Sequence, residues 1–181
     1  MIETVVESIR VSLVTQHRVV ILKEVHGERH LPIWIGAYEA EAIAMELQGV
    51  AAARPLPYDL IKAIVDDLGG GIDRIVVTEL SQDIYYARIV IQQNGRAVEI
   101  DSRPSDAIAI AVRARVPILV DDTVMDRAGV TLADGDTDAD GDESSLSEAH
   151  AGERISEEQL SVFRDFINTL DLDDFDRKKG N

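Results

Sequence analysis

The stretch Ile100-Asp101-Ser102-Arg103-Pro104-Ser105-Asp106-Ala107-Ile108-Ala109-Ile110-Ala111 decides the fold. It leaves a β-branched segment, turns a tight polar corner and enters a helix that is almost wholly apolar up to Arg113. Pro104 suits the first helical position, where a missing N–H costs nothing. Ser105 and Asp106 fall in the first turn, where free N–H groups and the positive end of the helix dipole favour them. A helix apolar on every side belongs in an interior. The corner therefore predicts a buried rod with two acids, a guanidinium and two hydroxyls at its mouth. Groups at the end of a rigid element can be held to the tolerance a site needs. The same groups also cap an ordinary strand-to-helix corner.

Working outward, residues 96–100 read as a strand behind Asn94-Gly95, the strongest hairpin signal in the chain. Residues 72–80 and 84–92 are β-rich and are joined by Ser81-Gln82-Asp83. Upstream, Pro57 starts a helix whose Leu60, Ile61, Ile64, Val65 and Leu68 are expected to face inward. Gly69-Gly70-Gly71 stops it, one glycine supplying the left-handed cap. Residues 38–48 form another helix, with Ala40, Ile43, Ala44 and Leu47 on one face. Before it, 3–14, 18–25 and 30–35 read as strands, and Pro32 argues for an edge or a bulge. Downstream, 117–120 is a short buried strand. The order βββ-αα-βββ-α-β is hairpin-rich and mixed, which predicts an α+β fold with three core helices. Glu41–Leu47 and Asp106–Val112 echo one another, which hints at an internal duplication.

The 181 residues carry a net charge of −16 and no cysteine, which excludes disulfides and thiol chemistry. The charge divides unevenly. Residues 1–120 hold 12 Lys and Arg against 16 Asp and Glu, whereas residues 121–181 hold 6 against 18. A core domain over 1–132 is thus followed by an acidic linker over 133–154, expected to be disordered for want of large apolar residues. A tail over 155–181 holds an amphipathic helix. Ser156-Glu157-Glu158-Gln159 is its capping box, and Leu160, Phe163, Phe166, Ile167 and Leu170 form its stripe. That stripe should dock on the core or on another subunit. The core lacks the basic footprint of a strong nucleic-acid binder. No apolar run approaches the length of a membrane span. Met1-Ile2-Glu3-Thr4-Val5 lacks the basic segment of a signal peptide. A cytoplasmic protein with no membrane association is expected.

Several chemistries fall away. Asp136-Thr137-Asp138-Ala139-Asp140-Gly141 matches half of a calcium loop, but Ser147 stands where its bidentate glutamate belongs. His26 and His30 straddle a turn, and Gly27 fills the slot of a zinc-protease glutamate, so both read as surface histidines. There is no phosphate-binding glycine loop and no Gly-x-Ser-x-Gly elbow. What remains are acids and arginines at corners: Glu39; Arg54 with Asp59; and Asp101, Arg103, Ser105 and Asp106. Paired carboxylates with a nearby arginine suit phosphodiester hydrolysis, the acids holding Mg²⁺ or Mn²⁺. They suit equally well a structural network tying helix starts to the sheet.

Leu31-Pro32-Ile33-Trp34-Ile35-Gly36 with Glu39-Ala40, Arg54-Pro55 with Asp59-Leu60, and Asp101 through Ala109 together resemble the bifunctional nuclease domain family. The resemblance covers about residues 5–130. It implies an α+β fold, a homo-oligomer, and nuclease activity on DNA, RNA or both. It carries Glu39, Arg54, Asp59, Asp101, Arg103, Ser105 and Asp106 over as catalytic candidates, with Asp59, Asp101 and Asp106 as candidate ligands of Mg²⁺ or Mn²⁺. One departure matters: the family commonly has Thr-His before the Asp-Leu of its middle motif, and this chain has Pro57-Tyr58. Tyrosine is a poor base at neutral pH. Three readings stay open: a metal-assisted nuclease, a non-catalytic regulatory or interaction module, and an anion or metabolite site at the Arg103 corner.

Overall fold

The computed structural model describes residues 1–11 and 17–131. The expected linker, tail helix and half calcium loop lie outside the described residues. The chain runs β1 (Ile2–Val11), β2 (Arg18–Glu24), β3 (Arg29–Ile35), α1 (Ala37–Leu47), α2 (Pro57–Asp67), β4 (Gly70–Ser81), β5 (Ile84–Gln93), β6 (Arg96–Ser102), α3 (Pro104–Ala114), β7 (Ile118–Val120), α4 (Asp122–Ala128) and β8 (Val130–Thr131). Among the described residues these strands make one eight-stranded sheet, in the order β6-β5-β4-β7-β1-β2-β3-β8. Only the β4–β7 pair is parallel. This is the α+β architecture expected, with α4 and β8 added.

A three-stranded antiparallel meander followed by an alanine-rich helix occurs twice, as β1-β2-β3-α1 and as β4-β5-β6-α3. Local chemistry fixes the meanders. Gln82 and Asp83 sit at φ 49° and 61°, Asn94 and Gly95 at 50° and 75°. Positive φ at both central residues is the two-residue turn whose twist matches the flanking strands. Pro32 lies beyond the two residues of β3 that β8 covers, where among the described residues no further strand pairs with that side of β3, a place that tolerates a missing N–H.

The helix α3 is the centre of the fold. It packs on β4 and β5 and touches both α1 and α2. Ala107, Ala109 and Ala111 permit close approach, while Ile108 and Ile110 are fully buried in the main core. The helix α2 corrects an expectation. Only Tyr58 and Val65 rest against the core, and Leu60, Ile61, Ile64 and Leu68 are exposed. His30 is a second correction: it is buried, with Nε2 3.2 Å from Glu7 Oε1. No helix among the described residues is long and apolar enough to cross a membrane.

The β2–β3 hairpin is locked by Glu24. Its buried carboxylate accepts from Arg29 N, Nε and Nη2 at 3.2, 2.9 and 2.7 Å, and Arg29 Nη1 reaches Asp126 of α4 at 2.7 Å. These hydrogen bonds from Arg29 hold the Glu24 carboxyl below the usual glutamate range. A carboxyl depressed in the folded state contributes stability that is complete above its unfolded pKa and is lost as pH falls through the folded value. Urea melts from pH 6 down to pH 3 should therefore show the parent's advantage over Glu24→Gln shrinking as the solution is acidified.

Candidate active site

Each of the helices α1, α2 and α3 carries an acid at its third residue: Glu39, Asp59 and Asp106. The helix starts thus align Glu39, rather than Glu41 of the sequence echo, with Asp106. The helix dipole favours an anion there, but here the carboxylates turn mainly to arginines. Arg103, the residue capping α3, holds Asp106 in a two-pronged grip, Nε to Oδ2 at 2.7 Å and Nη2 to Oδ1 at 3.0 Å. The same Nη2 donates to Glu39 Oε1 at 2.7 Å. The two alanine-rich helices therefore meet at one guanidinium, whose side chain is 66% exposed. Asp106 first, then Glu39, raise the Arg103 pKa, so it stays a cation.

Gly36 makes part of this geometry possible. A Cβ there would run into the Glu39 carboxylate, which folds back over the helix start. Gly36→Ala is expected to push Glu39 off Arg103 while leaving the fold intact. In an NMR spectrum of the Arg103 guanidinium, the Nη2 proton should move toward its free position.

Tyr58 donates its hydroxyl to Asp106 Oδ1 at 3.1 Å. Burial, and then the bond to Asp106, push its pKa up to about 12. At neutral pH it is a donor that orients Asp106, and it is not a base.

Behind Tyr58 lies Arg113, which sequence reasoning passed over. Its side chain is 4% exposed. Nε donates to Asp59 Oδ1 at 2.8 Å, Nη1 to Ala109 O at 2.9 Å and Nη2 to Ala42 O at 2.9 Å. Its guanidinium carbon stands 5.4 Å from the Tyr58 ring centre, within cation–π range. One side chain thus ties α1, α2 and α3 together. The signal was a lone charge ending an all-apolar helix.

Two hollows flank this network. A groove of about 630 Å³ has an isoleucine floor and, at its polar end, Tyr58, Asp101, Ser102, Arg103 and Asp106. A smaller hollow of about 350 Å³ is lined by Arg54, Asp59 and Arg113 among others. The candidates therefore divide. Glu39, Arg103 and Asp106 are joined at the groove's polar end, which Asp101 also lines although its register against Arg88 sets it on the opposite face from Ile100. Arg54 and Asp59 face the other hollow, and Ser105 is buried beneath the corner.

The carboxylates Asp59, Asp101 and Asp106 do not assemble as one ligand set. Both oxygens of Asp59 are taken, by Leu56 N–H at 2.7 Å and by Arg113. Those of Asp106 are taken by Arg103 and Tyr58. Among the described residues no three acidic or histidine side chains group closely enough to hold a metal ion.

The model of the bifunctional nuclease domain matches residues 20–133. An uncharacterised protein of Mycobacterium tuberculosis is 35% identical over 173 residues, covering 96% of this chain and 97% of that one. Bifunctional nuclease 1 of Arabidopsis thaliana is 34% identical over 108 residues, 58% of this chain and 33% of that protein. Bifunctional nuclease 2 of the same plant is 32% identical over 122 residues, 65% of this chain and 37% of that protein.

Proposed function

This chain belongs to the bifunctional nuclease domain family, and from that premise we propose that it hydrolyses phosphodiester bonds of single-stranded DNA or RNA at the Arg103 end of the groove. One observation carries the reading. Arg103 is exposed and lines the groove, its bonds to Asp106 and Glu39 use Nε and Nη2, and Nη1 makes no hydrogen bond among the described residues.

A phosphoryl oxygen bonds Nη1, and its charge competes with Asp106 for the guanidinium. Glu39 retains Nη2, so Arg103 tilts toward the phosphate instead of leaving. Asp106, released from part of its grip and still oriented by Tyr58, takes a proton from an attacking water. The water oxygen bonds phosphorus, the bond to the departing sugar oxygen breaks, and that oxygen takes a proton from solvent. No step is routed through a metal, because the three proposed ligand carboxylates are not gathered. Mg²⁺ and Mn²⁺ are therefore variables of the test.

The non-catalytic reading draws on a different observation. Tyr58 fills the place of the family's histidine, and the arginine at the polar end is already paired to two acids, Glu39 and Asp106. One assay separates the two readings. Protein purified free of host nucleases is incubated with labelled single-stranded DNA and RNA in Mg²⁺, Mn²⁺ or chelator. Turnover is expected, and Asp106→Asn should abolish it. A folded parent without turnover on either substrate would overturn the catalytic reading and leave the interaction module.

A further inference from the structure

The groove beside Arg103 is a trough with two unlike parts. Tyr58, Ile61 and Val65 follow one another at three and four residues on α2, so one face of that helix lines it for two turns, about 10 Å. The sheet lines the rest. Ile100 of β6 pairs with Ile89 of β5, and Ile91, two residues further along β5, pairs with Ile72 of β4. The volume of about 630 Å³ lies in the range of small-molecule sites. Every polar side chain of the lining, from Tyr58 to Asp106, stands at one end, and the remaining walls are aliphatic apart from Pro57. Ile61 and Ile100 stay 39% and 45% exposed at the rim, above a floor of buried Ile89, Ile91 and Ile110.

The polar end decides what the trough can hold. Of the three charges joined there, the cation is the most accessible: the Arg103 side chain is 66% exposed, against 27% for Asp106 and 13% for Glu39. Asp106 spends both oxygens on Arg103 and Tyr58, and Glu39 turns Oε1 to Arg103. Asp101 lies on the opposite face of β6 from Ile100. The group left with donors to spare is Arg103 Nη1, so the head of a ligand must be an acceptor, and a carboxylate is the acceptor a guanidinium binds best. The walls reject a flat polar ring, because they offer its edge no hydrogen bond, and Tyr58, the one aromatic ring of the lining, already serves Arg113. Methylene groups need no such partner. We propose that the groove binds a straight-chain acyl carboxylate, its head on Arg103 Nη1 and its chain laid between α2 and the isoleucines of β4, β5 and β6. The acyl chain covers the apolar floor, and each methylene it brings is removed from water. At Arg103 such an anion competes with a phosphodiester. That competition rests on the nuclease reading; the binding does not.

Calorimetric titration of the full chain with hexanoate, octanoate, decanoate and dodecanoate, each below its micelle concentration and without nucleic acid, tests the binding. Affinity should rise with length, by about two- to fourfold for each added methylene. Dodecylammonium should bind at least tenfold more weakly than dodecanoate. Arg103→Ala should weaken every carboxylate about tenfold or more, the loss of a hydrogen bond to a charged group, and keep the dependence on length. Ile61→Asp and Ile100→Asp, at the exposed rim, should remove that dependence with an unchanged far-UV spectrum. Leu68→Asp, 69% exposed on the same helix but outside the groove, should alter nothing. Affinity independent of chain length, an ammonium bound as tightly as the carboxylate, or Leu68→Asp acting as strongly as Ile61→Asp would overturn the proposal. So would dodecanoate that gives no binding to the folded parent. The cleavage assay is read separately. Dodecanoate should inhibit it competitively, and a parent that binds dodecanoate without cleaving any substrate would lose the nuclease reading and keep the acyl site. Saturating dodecanoate that leaves cleavage at the parental rate would put the chain elsewhere and overturn the assignment to this groove.

Discussion

Arg113→Met is expected to destabilise the protein by about 1.5–3 kcal/mol, the range of hydrogen bonds to charged groups, since the partner it leaves, Asp59, is 38% exposed. The guanidinium is enclosed and makes three bonds to three helices. Methionine has a similar stem but no donor. Asp59 would lose the charge facing Oδ1 and Ala42 O would lose a side-chain donor beyond its place in α1; Asp59, 38% exposed, can still turn to water. Lysine cannot rescue the variant, because one ammonium cannot reproduce a planar fork aimed at three acceptors. Urea unfolding would check this. A change below about 1 kcal/mol, the range of surface substitutions, would show that the three helices do not depend on this side chain.

Asp106→Asn should behave in the opposite way. The Arg103–Asp106 pair is largely solvent-exposed, and such pairs contribute about 0–1 kcal/mol. Melting should barely change. Cleavage, on the proposed reading, should fall about 100-fold or more, the contribution of a positioned general base. The amide keeps the shape and can still accept from Tyr58, but it takes no proton and no longer pairs with Arg103 as an anion. The two variants separate what holds the helices together from what acts on substrate: one moves stability strongly, the other activity.

Most of the fold was legible because the signals were local. Asn94-Gly95 and the run of β-branched residues specify hairpins without reference to the rest of the chain, and Pro104 with its apolar sequel specifies α3. Three features were not legible. The helix α4 is capped by Asp121, whose Oδ1 accepts from Thr123 N at 2.9 Å; at seven residues it is too short to show an apolar period, and it emerges only with Val124 and Met125 buried behind it. The stripe of α2 was correctly recognised as apolar, but periodicity reports that a face wants cover and not that its own chain covers it. Arg113 was hidden because a charge after an apolar helix looks like the return to solvent, whereas the packing of α1 and α2 over the end of α3 encloses it. The same limit applied to the site. Sequence separation gives no means of telling that Glu39 reaches Arg103 across 64 residues while Asp59, between them in the chain, turns to another arginine.

The most direct test is chemical rescue of Arg103→Ala. The central claim is that the guanidinium at the groove's end binds the phosphodiester. Cleavage of single-stranded substrate by this variant should be nearly lost and should return in part when millimolar guanidinium is added, with no such effect on the parent. Parental turnover by Arg103→Ala without any additive would contradict the account.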